Sequence, residues 1–328
     1  MCDVAWMPPS KRKLPSGRML IVTFPPSQRR GGAKREPDRA KLQLMVSSAK
    51  TFRRSDHPVC AASPLAVGAA SHPLRGGEYL ETMIELDDAL NELVIANRIL
   101  ANDNVVDAYG HVSVRHPRNP EKFFMAHMLA TPEIVERSDI VEFGLDGEAV
   151  SDGRTPSVER FIHSGIYEAR PDVVAVVHAH AEDTLPFGIT DVPLRPVIHS
   201  GSFIGSHVPV WDIADNFGDT DLLVSNTAHG RDLARCLGPN NVVLMRGHGF
   251  AAAAQSLIDV VRLSVYLPRN ARVQMAAIQL GKFKPLSDGE IAARAARYKP
   301  YSKQTWRAWQ YWAKRAGCGH MVGKPPAG

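Results

Sequence analysis

At 328 residues, 44% hydrophobic and 22% charged, the chain has an ordinary globular composition and is long enough to bury a substantial core, which excludes collagen-like, coiled-coil and wholly disordered readings. No apolar run approaches the ~18–20 residues of a membrane-spanning helix, since the longest candidate, residues 19–24, stops at Pro25-Pro26. The net charge of +5 is unevenly divided: residues 1–77 hold 14 Lys and Arg against 4 Asp and Glu, net +10, leaving 25 against 30, net −5, in residues 78–328, so nucleic-acid binding by the larger part is not expected.

Residues 1–77 read as a basic extension, expected to be disordered, because Pro, Ser, Gly, Arg and Lys dominate and no periodic apolar face persists. A targeting peptide is one reading, since such peptides are rich in Arg and Ser and poor in acids. We prefer a solvated tail or a start placed too far upstream, with Met83 as an alternative start. The four cysteines, Cys2, Cys60, Cys236 and Cys318, form no CxxC pair. Neither a thiolate zinc site nor a disulfide framework is expected, and a reducing, cytoplasmic setting is the default.

Helical periodicity begins at Glu78. Leu80, Met83, Ile84, Leu86, Leu90, Leu93, Val94, Ala96, Ile99 and Leu100 predict an amphipathic helix over residues 79–101. Its acidic residues sit early, where the helix dipole favours them. His111–Arg115 alternates like a strand, residues 123–125 are another candidate, and Asp146-Gly147 is a hairpin signal within residues 140–150. A helix over residues 157–169 ends before Arg170-Pro171. Residues 173–177 and Val242–Met245 are continuous apolar runs, typical of strands buried on both faces. Two long helical patterns close the chain, over residues 256–280 and from Ser287, whose spacing to Glu290 is that of a capping box. Buried strands with helices between them imply an α/β fold of three layers, α/β/α.

Thirteen histidines are present, and three are placed informatively. His178-Ala179-His180 follows directly on a buried run, and side chains two apart on extended chain share a face. Two imidazoles therefore project together at the C-terminal end of a strand, where ligands of α/β sheets usually bind. His248, in Arg246-Gly247-His248-Gly249, again follows a buried run, and its glycines permit tight backbone geometry beside a pocket. Three imidazoles on adjacent strand ends suit one divalent ion: zinc, manganese, iron or cobalt. Glu159, at the start of a helix, would otherwise be read as dipole compensation. Beside a metal it could move a proton or complete the coordination sphere.

At these residues the chain resembles the class II aldolase/adducin family, over roughly residues 84–285. The markers are Gly110-His111-Val112-Ser113-Val114-Arg115, Ser157-Val158-Glu159, Arg170-Pro171-Asp172 leading into His178-Ala179-His180, and His248-Gly249, with 19 residues from Glu159 to His178. The resemblance implies a domain with a central mixed, mostly antiparallel sheet, with residues 286–328 as a helical extension. It also implies a divalent metal on His178, His180 and His248, Glu159 as acid/base, and a homotetramer with interfacial active sites. The departures from the sugar-phosphate aldolases are informative. His111 replaces their Asn, Val158 their second Ser, and Ala130-Thr131-Pro132-Glu133 lacks their Thr-Gly pair, so a phosphate dianion would be poorly held. The strings around His111, Glu159 and His248 look instead like the decarboxylase branch, which includes hydroxy-carboxymuconate semialdehyde and dihydroxyphthalate decarboxylases.

The expected function is therefore a lyase that decarboxylates a hydroxy- or oxo-carboxylic acid of aromatic breakdown through a metal-stabilised enolate. Arg115 and Arg246 are candidates for the substrate carboxylate, each equally readable as a structural ion pair. His111 and His199 are candidates for substrate contact or proton transfer, and His163, four residues after Glu159, is read as a supporting residue. Trp306, Trp309, Tyr311 and Trp312 are read as packing of a last helix. The alternatives are an aldolase, epimerase or dehydratase of a small hydroxy compound, and a non-catalytic adducin-like module. The expected partner is a small carboxylate, with neither nucleic acid nor membrane.

Overall fold

The computed structural model describes residues 85–150, 153–299 and 301–325. The basic extension and residues 79–84 of the first expected helix lie outside the described residues. In chain order the elements are α1 (Leu86–Asn102), β1 (His111–Arg115), β2 (Lys122–Ala126), β3 (Ile140–Gly144), α2 (Arg160–Ala169), β4 (Ala175–Ala179), α3 (Leu185–Gly188), β5 (Val210–Trp211), α4 (Ala214–Phe217), α5 (Thr227–Leu237), β6 (Val242–Met245), β7 (Gly249–Ala254), α6 (Leu257–Leu280), α7 (Asp288–Ala296) and α8 (Lys303–Arg315). A 3-10 turn, His199–Ile204, precedes β5.

The strands form one sheet in the order β3-β2-β1-β4-β7-β6-β5. Every pairing is antiparallel except the short parallel β5–β6 contact, which is the mixed, mostly antiparallel sheet expected. Alternate side chains of a strand leave opposite faces, and here each face has its own core. Val112, Val114, Val177, Leu244 and Phe250 pack with α1, α6 and α8, while Met125, Val176, Val243 and Ala251 pack with α2 and α5. The result is three layers. Burying each Leu, Val or Phe of these cores contributes about 1.5–3 kcal/mol.

Several elements differ from expectation. Glu85 is extended, so α1 begins at Leu86. The expected helix from residue 157 begins at Arg160, because Glu159 stands as its N-cap. The strand expected over residues 173–177 is β4, two residues later, which puts His178 inside the strand. The central strand β7 carries no β-branched signal, only Gly249, Phe250 and four alanines. It is a strand because β4 and β6 flank it on both sides. The closing pattern splits into α7, which has the expected Ser287–Glu290 capping box, and α8. Trp306, Trp309 and Trp312 of α8 are buried in the α1/α6 core, whereas Tyr311 is 58% exposed.

Candidate metal centre

The site is built at the end of β4. His178 stands opposite His111 of β1 and Ala251 of β7, on the α2/α5 face of the sheet, and His180 follows two residues on. His248 occupies the turn between β6 and β7. That turn needs Gly247 at a φ of +66°, a conformation a side chain disfavours. It also needs Gly249, where an added Cβ would lie 2.3 Å from the Ala179 carbonyl oxygen. The start of β7 can therefore approach the end of β4 only without a side chain, and this closeness carries His248 to the other two imidazoles. Glu159 enters from the N-terminus of α2.

His178 Nε2 lies 3.0 Å from His180 Nε2 and 3.4 Å from Glu159 Oε2. His248 Nε2 lies 3.5 Å from the same carboxylate oxygen, and one ligand atom from each of the four residues falls within 4.8 Å of all the others. The donor chemistry fits a divalent ion. His178 Nδ1 is bonded to the Phe250 carbonyl at 3.0 Å, so Nδ1 carries a proton and Nε2 is the nitrogen presented to the cluster, where a bound ion would take its lone pair. Glu159 and His178 are buried, whereas His180 and His248 are partly exposed, which leaves the cluster open on one side.

Electrostatics favour the ligand forms. Burial disfavours an ionised Glu159, but hydrogen bonds and charge from His178 and His248 outweigh it and hold the carboxyl well below the usual range. Burial first, and His178 second, push His180 downward. The same causes push His111 down to about 3, so it is neutral. Glu159 Oε1 accepts the Val224 backbone N–H at 3.2 Å, which fixes the carboxylate.

One supporting group escaped the sequence analysis, and of a second it named His111 and His163 but not their links to Ser113 and Tyr167. Asp107 lies 3.2 Å from His180 Nδ1 and also accepts the backbone N–H groups of Tyr109 and Gly110. A carboxylate on the far nitrogen turns the other nitrogen toward a metal. The only sequence signal was the turn-forming Asp three residues before Gly110. The second group is a buried series. His111 Nδ1 is 2.7 Å from His163 Nε2, His163 Nδ1 is 2.6 Å from Ser113 Oγ, and Ser113 Oγ is 2.8 Å from Tyr167 Oη. His111 Nε2 is buried without a partner among the described residues, and its ring centroid is 5.2 Å from that of His178.

The other candidates are placed differently. Arg115 ends β1, roughly 13 Å along the strand from His111 at the usual rise. Its guanidinium donates to the carbonyls of Val173, Pro120, Tyr167 and Arg170. It ties the strand to the end of α2 instead of meeting a substrate, because four backbone carbonyls converge on it. His199 is also not in the cluster; it lines a separate cleft against α6 and α8. Arg246 pairs with Asp212 and keeps its side chain 38% exposed beside the His248 turn. Glu133 is exposed.

Residues 91–275 match the family pattern of the class II aldolase and adducin N-terminal domain. The chain is 35% identical over 245 residues to the protein called decarboxylase tropJ of Talaromyces stipitatus, covering 68% of this chain and 92% of that one. It is 26% identical over 243 residues to the 3,4-dihydroxyphthalate decarboxylase of Arthrobacter keyseri, again covering 68% and 92%. An aldolase II superfamily protein from Pseudomonas syringae shares the fold, with a TM-score of 0.62 at 21% identity over 75% of this chain and 100% of its own.

Proposed function

This chain belongs to the class II aldolase and adducin family, beside its decarboxylases, and we propose that it is a divalent-metal-dependent decarboxylase of a hydroxy- or oxo-carboxylic acid from aromatic breakdown. The observation that carries the reading is the convergence of three imidazoles and one carboxylate on one point. We assign the ion to His178, His180 and His248. Bound there, it would supply a Lewis acid for the negative charge left on the substrate when carbon dioxide departs. The choice of decarboxylation rests on the two similar decarboxylases and on His111 and Val158, which stand where the sugar-phosphate aldolases carry Asn and Ser.

Glu159 is assigned the proton transfer at the carbon that loses carbon dioxide, because Oε2 stands within the cluster while Oε1 is held by Val224. His111 is assigned to the substrate through its unpartnered Nε2. Ser113 and Tyr167 each hold a hydroxyl that both donates and accepts. Reversing every link of the Tyr167–Ser113–His163–His111 series therefore converts His111 Nε2 from acceptor to donor with no net charge moved. Arg246, partly exposed and steadied by Asp212, is assigned to the substrate carboxylate. A cytoplasmic homotetramer completes the proposal.

The test is incubation of purified, metal-supplemented protein with a dihydroxyphthalate and, separately, with a sugar phosphate. The expected outcome is carbon dioxide from the aromatic acid, followed by a bicarbonate-coupled assay, with no aldehyde from either compound. Aldehyde and ketone without carbon dioxide would instead establish an aldolase. A protein that takes up no divalent metal would be a binding module.

A further inference from the structure

We propose that the protein carries a second anion site, a cleft between α6, α7, α8 and the 3-10 turn His199–Ile204, that binds a small planar di-acid. The cleft has a volume of about 410 Å³, within the range of small-molecule sites, and none of its lining residues belongs to the histidine cluster. Its outstanding feature is charge. Arg262, Arg269, Arg294 and Arg307 all line it. Asp259 pairs with Arg262 at 3.2 Å and Asp103 with Arg269 at 2.6 Å. Arg294 and Arg307 have no carboxylate partner among the described residues, so two positive charges stand uncompensated.

The guanidiniums are built into the fold. Arg262 is only 7% exposed, and the Nε atoms of Arg262 and Arg294 are buried without a hydrogen-bond partner. Buried cations with unmade hydrogen bonds are costly unless an anion completes them. Arg262 lies 3.6 Å from the Phe203 ring centroid and Arg294 4.9 Å from it, so stacking fixes the orientation of both planes before any ligand arrives. Burial lowers the Arg262 pKa against the pull of Asp259, and a bound anion would relieve that cost.

Two features define the ligand. Two uncompensated guanidiniums match two negative charges, and a guanidinium recognises a carboxylate through paired N–H donors. Tyr266 and Tyr311 also line the cleft and offer flat apolar faces to a planar body. The basic residues 1–77, net +10, are repelled by such a cleft and do not suit it as an occupant.

The probe is phthalate, titrated calorimetrically into the full-length protein, into a His178→Ala/His180→Ala variant and into an Arg294→Ala/Arg307→Ala variant. Binding is expected to persist within about threefold in the histidine variant. It should weaken at least tenfold in the arginine variant with metal content unchanged, and should weaken with added salt. Benzoate, with one charge, should bind at least tenfold more weakly than phthalate. Arg307→Ala alone, at an exposed position, keeps the test readable if the double variant fails to fold. Loss of all phthalate binding in the histidine variant, or undiminished binding in the arginine variants, would overturn the proposal. So would an arginine variant that changes oligomer size when the parent binds no phthalate, because the cleft would then be a contact between copies of the chain.

Discussion

The two faces of the sheet gather nitrogen-rich side chains in opposite ways. On the α2/α5 face, imidazoles crowd until His178 Nε2 and His180 Nε2 are 3.0 Å apart. Against α6–α8, four guanidiniums line an open cleft, and those of Arg262, Arg269 and Arg294 lie over aromatic rings. The difference is one of titration. Burial pushes the pKa values of His111, His163 and His180 downward, and a ring without its charge can approach its neighbours closely. Arginine keeps its charge in any protein environment, so it must be spread out, paired or completed by an anion. The candidate metal centre and the proposed anion site thus reflect the same operation, burial, applied to two different bases.

The comparison breaks most sharply at the histidines. His178→Ala, His180→Ala and His248→Ala are each expected to remove most bound metal and bring turnover to background while leaving the protein folded, since two imidazoles are too few for tight binding. Metal analysis beside size-exclusion elution checks this, and full metal with full turnover in a double His178/His180 variant would mean the ion sits elsewhere. Glu159→Gln is the next largest. The amide nearly preserves shape but exchanges no proton at neutral pH, so turnover should fall by ~10²-fold or more with metal retained. Metal loss in that variant would move Glu159 into the coordination sphere. Asp107→Asn should follow, with metal affinity lower by about 10–100-fold, read by competition with a chelating dye. An unchanged affinity would make Asp107 a turn residue alone.

The smallest effect sharpens the other face. Glu92 of α1 is buried against Tyr301, whose hydroxyl lies 3.4 Å away. Burial first, and Asp88 second, raise its carboxyl from 4.5 to about 8 against that hydrogen bond. The folded chain keeps this proton while the unfolded chain loses it near its ordinary value, so stability falls as pH rises from about 4.5 to about 8. Glu92→Gln removes that loss. The variant should match its parent near pH 4.5 and exceed it by on the order of 2–4 kcal/mol at pH 8, as read by urea denaturation at both values. A stability difference independent of pH would show that Glu92 is ionised in the folded chain.

Much of the centre was legible because its signals are local. His178 and His180 share a face through a spacing of two, His248 is marked by its flanking glycines, and Glu159 by its place ahead of a helix. The family resemblance then joined the pieces. Strands β4 and β6 announced themselves as continuous apolar runs, since burial on both faces leaves no room for polar residues. What stayed hidden depends on neighbours distant in the chain. An alanine run such as β7 has no preference of its own for a strand and takes one from β4 and β6.

The sequence by itself therefore determined the layered α/β class, the helices with strong caps and the short-range histidine pattern, because each follows from periodicity or from residues a few positions apart. Only the tertiary structure decided what each charged side chain meets. Arg115 and Arg246 are the same residue type, each at the end of a strand, yet one is enclosed by four carbonyls and the other stands partly exposed beside Asp212. His111 and His199 were equal candidates, and one lies against His178 while the other lines the arginine cleft. A charge or an imidazole has no role until burial sets its protonation and the surrounding chain supplies or withholds partners, and those partners come from residues tens of positions away.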